Sequence, residues 1–292
     1  MDKFSLETKF NAVCATQLGG PFGLRIWGVV DGHLFSTRQK WSNAAWEEWS
    51  ECSGAPQNLY ALTAAQAGNG QVSLWALGLP NGVPQCTSQT SVDADSWAWA
   101  DPRVGWQPVP NGAAPFPFLT LCACDASDKA GRQLWGIGRD ACLYTTYERE
   151  RLGGSWSPWA PWDAQPLIDK RVALLRALTT ARNGNGEVSL WALDSAGVLH
   201  CRSQIQGGAA WGPWSQGWSP VAGAAGGTPV EFFGGMADGV ICAYRQSGSL
   251  GRALWVLAGD GQLYWTYEKP PREADGPTGR NSLALETDSV MP

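Results

Sequence analysis

The chain has 292 residues, and its 21 basic and 26 acidic side chains sum to −5, with only 16% of residues charged. That balance excludes the basic stripe of a nucleic-acid binder; no apolar run reaches the ~18 residues of a membrane-spanning helix; and MDKFSLETKF lacks the basic-then-apolar layout of a signal peptide. With 44% hydrophobic residues, 36 Gly and 19 Pro, many short elements joined by tight turns are expected, because Gly or Pro interrupts most helical patterns before three turns are complete. A cytoplasmic protein, or one released without a conventional signal peptide, is the corresponding expectation.

Taken in chain order, the elements repeat. FNAVCATQ (10–17), RIWGVVDGHLFSTRQ (25–39) and WSNAAWEEWSE (41–51) are followed by LYALTAAQ (59–66), SLWALGLPNGVPQCTSQ (73–89) and SWAWADP (96–102). Next come FLTLCACD (118–125), QLWGIGRDACLYTTYE (133–148) and SWSPWAPWD (155–163), then LLRALTTAR (174–182), SLWALDSAGVLHCRSQ (189–204) and AWGPWSQGW (210–218). VICAYRQ (240–246) and ALWVLAGDGQLYWTYE (253–268) close the series without a Trp-rich segment. The anchors Trp27, Trp75, Trp135, Trp191 and Trp255 are 48, 60, 56 and 64 residues apart, a mean of 57.

The register holds beyond the anchors. Asp31-Gly32, Asn81-Gly82, Asp140-Ala141, Ala196-Gly197 and Asp260-Gly261 occupy equivalent turn positions, and Asn-Gly and Asp-Gly suit two-residue hairpin loops. The ninth residue from each turn is Gln39, Gln89, Glu148, Gln204 or Glu268. Each repeat therefore reads as inner strand, turn, anchor strand, tight turn, third strand and a Trp-rich outer strand. Such a unit is apolar on both faces and buries them only by stacking on its neighbours.

The expected fold is an all-β, five-bladed propeller of four antiparallel strands per blade, one domain over 1–292 with repeats at about 10–51, 59–106, 118–163, 174–218 and 240–288. A sandwich would not repeat at this period, a trefoil would repeat three times, and six blades stay open if a long spacing hides a degenerate unit. The fifth repeat lacks an outer strand, and a propeller closes when one terminus completes the other's blade. FSLETK (4–9) is expected to fill that place, and SLALETD (282–288) is the competing segment.

GNGEVSLWALDSAGVLHCRSQIQGGAAWGPWSQGW (184–218) and the GGSWSPW segment (153–159) resemble blades of the tectonin-type and fucose-binding propeller lectins. The resemblance implies a carbohydrate-binding protein with glycans or glycoconjugates as partners. Read from the residues, sugar recognition needs aromatic faces and fixed polar groups. Trp46, Trp49, Trp156, Trp159, Trp211 and Trp214 offer the first; Gln39, Gln89, Glu148, Gln204 and Glu268, with Arg25, Arg132, Arg202 or Arg252, offer the second. Packing between blades is the competing role of these tryptophans, and satisfying backbone groups is that of the Gln/Glu column.

Two other classes stay open: an enzyme working in a central funnel, as a glycoside hydrolase or a cyclase or isomerase, and a protein-binding scaffold. A glycoside hydrolase needs two carboxyl groups about 5–9.5 Å apart, yet the inner segments hold one acid, Asp125. The eight cysteines show no CxxC spacing, and His33 and His200 are the only histidines, so neither a metal nor another cofactor is expected.

Overall fold

The computed structural model describes residues 10–18, 23–40, 45–67, 69–91, 97, 105–109, 117–126, 131–149, 155–162, 167–168, 171–172, 174–182, 187–195, 199–205, 210–216, 240–245, 252–257 and 263–267. Every regular element among them is a β-strand. The chain forms two compact units, Met1–Asp163 and Ala164–Pro292.

The first unit holds three antiparallel four-stranded blades. They are β1 (Ala12–Gln17), β2 (Leu24–Val30), β3 (His33–Arg38) and β4 (Ser50–Glu51); β5 (Leu59–Gln66), β6 (Val72–Gly78), β7 (Gln85–Ser88) and β8 (Gln107–Pro108); and β9 (Phe118–Ala126), β10 (Gly131–Gly138), β11 (Leu143–Tyr147) and β12 (Ala160–Pro161). Inner strands β1, β5 and β9 lie side by side, and Thr63 Oγ1 accepts the Ala123 N–H at 3.0 Å across the second pair.

The second unit contains a hairpin, β13 (Leu167–Ile168) and β14 (Arg171–Val172), that the repeat does not announce. A four-stranded blade follows, β15 (Leu175–Arg182), β16 (Val188–Asp194), β17 (Leu199–Ser203) and β18 (Ser215–Gln216). The last sheet has three strands, β19 (Val240–Arg245), β20 (Arg252–Leu257) and β21 (Leu263–Tyr267), with β15 beside β19. The described residues thus make four complete blades rather than five. Segments 4–9 and 282–288, the two candidates for the missing strand, lie outside the described residues.

The repeat fixes the middle of each blade. Trp27, Trp75, Trp135, Trp191 and Trp255 all sit in second strands, opposite Cys14, Thr63, Cys122, Thr179 and Cys242 of the inner strands. The first four anchors are essentially inaccessible to solvent. Two clusters account for the core of the first unit. One gathers Trp27, Leu34, Leu62, Leu74 and Trp97, and the other Trp75, Phe118, Leu134, Tyr144 and Trp159.

The outer strands differ from expectation. The Trp-rich segment meets the third strand at a single bridge, and the paired strand is the two residues after its second Trp. In Trp156-Ser157-Pro158-Trp159 and Trp211-Gly212-Pro213-Trp214 the proline has no N–H to continue a ladder. The turns also diverge. Asp31 and Gly32 both take positive φ, 51° and 80°, as a two-residue loop requires. After Gly78 the chain instead runs through Pro80 and Pro84 before β7, and Gly82 alone has positive φ. Ala141, at φ 61°, bears the cost that glycine would avoid, and Asp140 steadies the turn by accepting the Cys142 N–H at 3.0 Å and the Tyr144 hydroxyl at 2.7 Å.

Candidate functional site

The Gln/Glu column forms a repeated joint. Gln39 bridges to Trp46, Gln89 to Trp97, Glu148 to Trp156 and Gln204 to Trp211. The backbone N–H groups of these four column residues donate to the carbonyls of Leu24, Val72, Arg132 and Val188. Side chains lock three of the joints from the other direction. Gln89 Oε1 accepts the Val72 N–H and Gln204 Oε1 the Val188 N–H, both at 2.9 Å, while Glu148 Oε2 accepts the Arg132 N–H at 3.2 Å. Gln89 and Glu148 are 1% exposed, and Gln204 is also buried. Glu268 lies outside the described residues.

The tryptophans of each outer segment divide by position. The first (Trp46, Trp97, Trp156, Trp211) makes the bridge; the second (Trp49, Trp106, Trp159, Trp214) directly precedes the outer strand. Trp106 escaped the repeat because it stands nine residues after Trp97, where the other pairs are three apart. The signal for Trp106 was Trp106-Gln107-Pro108, which matches Trp159-Ala160-Pro161. Two second tryptophans pack on a Phe of their own blade: Trp159, 1% exposed, has its ring centroid 4.6 Å from that of Phe118, and Trp49 stands 5.0 Å from Phe10. Those Phe rings occupy the space over Gly136 and Gly28, where a Cβ would collide with Phe118 and Phe10. Trp46, Trp49, Trp156, Trp211 and Trp214 are half-buried.

In the first unit, Trp97 and Trp156 reach across to the preceding blade. Trp97 meets Trp27 edge-on at 5.4 Å, and Trp156 meets Trp75 edge-on at 6.1 Å. Each pair bounds a slot between neighbouring blades of the first unit, and a guanidinium enters each slot. In the first, half-buried Arg25 comes from β2 of the earlier blade, 5.6 Å from Trp27 and 5.8 Å from Trp97, and donates to Ser36 Oγ at 2.9 Å. In the second, Arg132 comes from β10 of the later blade and lies 5.3 Å from Trp75. Its Nε and Nη2 donate to the two oxygens of Glu148 at 2.9 Å and 2.6 Å, and Nη1 donates to Ser73 Oγ. Cys86 lies within reach of this charge pair. Burial pushes its thiol up to about 12, opposed by the nearby Arg132 guanidinium and a hydrogen bond to Ser88, with Glu148 adding to the rise.

Other candidates lie elsewhere. Arg202 Nε donates to the Gly212 carbonyl at 2.5 Å, tying the outer segment of its blade to β17. His200 Nε2 and Asp194 Oδ2 pair at 2.9 Å, both buried, and sequence reasoning missed them because they flank a turn whose other copies carry different residues. His33 pairs separately with Glu51 at 3.0 Å on the surface. Among the described residues, no group of three His, Cys, Asp or Glu side chains could hold a metal ion, and no helix is long and apolar enough to cross a membrane.

No family model matches the sequence, and no curated protein matches it. Solved structures do. SapL1 lectin in complex with α-methyl fucoside superposes with a TM-score of 0.54 at 12% identity, over 98% of this chain and 84% of that one. BP39L lectin from Burkholderia pseudomallei gives 0.56 at 16% identity, over 94% and 70%. AofleA from Arthrobotrys oligospora gives 0.56 at 13% identity, over 98% and 88%. At these identities the likeness is one of fold, and the fold is the β-propeller of these proteins.

Proposed function

We propose that this protein is a carbohydrate-binding propeller with several weak Trp-lined sites, and that fucosides are among its ligands. The observation that carries the reading is the recurring joint of a Gln or Glu with a tryptophan. Repeated on blade after blade, this backbone bridge returns an outer-segment tryptophan to the same place beside a Gln or Glu. Half-buried Trp46 and Trp49 with Gln39, Trp211 and Trp214 with Gln204, and Arg25 beside Trp97 are the groups assigned to ligand. The fucoside bound in the SapL1 structure supports the choice of sugar.

Several weak sites on one body favour branched or surface-bound glycans, since linked sites can gain ~10²–10⁴ in avidity. A surface dense in fucosylated glycan should therefore hold the protein far more tightly than free methyl α-fucoside does. Trp46→Ala and Trp211→Ala should each weaken that attachment about tenfold, the equivalent of ~1.4 kcal/mol, with little change in melting temperature. Attachment with no preference for multivalent presentation would count against the reading.

The same proposal includes a ring of five blades, the last completed by residues 4–9 against β21. Without a fourth strand, β21 presents unpaired backbone groups along an open edge. Deleting residues 1–9 should lower the melting temperature more than deleting 282–292 does. The reverse order would assign the closing strand to SLALETD.

A further inference from the structure

We infer that one side chain of the third strand sets where the first outer tryptophan stands, and that Thr37 and Arg202 are the positioning residues for Trp46 and Trp211. The ligand half of this inference rests on the carbohydrate reading. Its basis is a mismatch in residue number. In the first blade the Gln39–Trp46 bridge is followed by the Ser36–Ser50 pair, which leaves Thr37 and Arg38 opposite Glu47, Glu48 and Trp49. In the third, Thr146 and Tyr147 stand opposite Ser157, Pro158 and Trp159. In the fourth, Arg202 and Ser203 stand opposite Gly212, Pro213 and Trp214. Each of these three outer segments carries one extra residue, a β-bulge, which frees backbone groups from the ladder and re-aims the side chains beside it. Two tryptophans three apart would take opposite faces in an unbroken strand. Here Trp156 and Trp159 both pack in the cluster that holds Trp75.

A carbonyl released in this way needs a donor. The residue after the first tryptophan gives its own N–H to the carbonyl just before the column, that of Arg38, Tyr147 or Ser203. Its carbonyl is taken by the side chain two places before the column. Thr37 Oγ1 donates to the Glu47 carbonyl and Thr146 Oγ1 to that of Ser157, both at 2.6 Å, and Arg202 Nε donates to that of Gly212. Both threonines are buried. The five repeats carry Thr37, Thr87, Thr146, Arg202 and Thr266 at this position, and Ala98, which follows Trp97 in the second, lies outside the described residues. Two blades add a further hold: Arg38 pairs with the Glu47 carboxylate at 2.7 Å, and Ser157 Oγ accepts the Tyr147 N–H at 3.1 Å. Gly212 has no side chain for such a hold, and its blade uses the longer, charged clip.

Indole N–H resonances of the full chain read the placement without any sugar. Thr37→Val, which keeps the volume and removes the donor, should move the Trp46 resonance, and Thr37→Ser should return it. Thr146→Val should move Trp156 and leave Trp46 where it is. Should Thr37→Val fail to fold, two variants at Arg202 decide through Trp211. Arg202→Met should move that resonance, and Arg202→Thr, which installs the side chain used by the other repeats, should return it. An unmoved tryptophan in Thr37→Val or Arg202→Met, or Thr37→Val and Thr37→Ser behaving alike, would overturn the inference. Attachment to a surface of fucosylated glycan is the second readout. Loss of one hydrogen bond should weaken Thr37→Val about fivefold, and Thr37→Ser should recover the attachment. Thr37→Val holding as tightly as the unaltered protein would overturn the positioning role. If the unaltered protein does not attach at all, the carbohydrate reading fails, and the indole resonances still decide whether these side chains place the tryptophans.

Discussion

Replacing Trp75 by alanine is expected to cost about 3–5 kcal/mol of stability, the range for removing a fully buried large aromatic. The ring is wholly inaccessible, meets Trp156 edge-on and lies under the Arg132 guanidinium, so its loss empties one side of an interblade slot. The charge pair there is harmed as well, because Arg132 loses the aromatic face over which it sits. Urea unfolding followed by fluorescence of the remaining tryptophans measures the effect. Leu79→Ala, at a site 60% exposed, is the control and should lie within about 0.5 kcal/mol of the unaltered protein. A Trp75→Ala loss under about 1 kcal/mol would mean that neighbouring blades close the gap, and the anchor column would not be what holds them together.

Asp194→Ala is expected to be comparably damaging. His200 is 1% exposed and pairs with the Asp194 carboxylate, and removing one partner of a buried polar pair costs about 3–5 kcal/mol because the other is left without compensation. The repeat itself supplies the rescue. In the first blade the equivalent positions are Val30 and Phe35, an apolar pair in the same register. The double variant Asp194→Val/His200→Phe should therefore recover most of what Asp194→Ala loses, since a buried polar pair can be exchanged for packed apolar groups at little cost. A double variant as unstable as the single one would show that the pair does more than fill space between β16 and β17.

The anchors, the inner strands and the column were legible because each repeats with the period of the blade and carries a residue type that burial restricts. Trp27, Trp75, Trp135 and Trp191 all sit where their spacing places them, and each of Gln39, Gln89, Glu148 and Gln204 stands one joint from an outer tryptophan. What escaped was whatever the repeat varies. Trp106 is displaced by an insertion, and the pairing of Asp194 with His200 occurs in one blade only. Arg25 and Arg132 differ by one position relative to their anchors, and in a strand one residue reverses the face. That single step sends the two guanidinium groups toward opposite neighbours, a distinction that residue counting registers and that means little until both faces have partners.

The brevity of β4, β8, β12 and β18 has a consequence for behaviour in concentrated solution. A strand exposed at the side of a sheet invites pairing with another molecule, and cross-β stacking recruits segments of about six residues. Each of these rims offers two. Pro108 and Pro161 remove a donor from β8 and β12, and Glu51 places a negative charge on β4. A chain with so many sheets could have carried as many sticky borders, and at these four its composition leaves too little backbone for a second molecule to read.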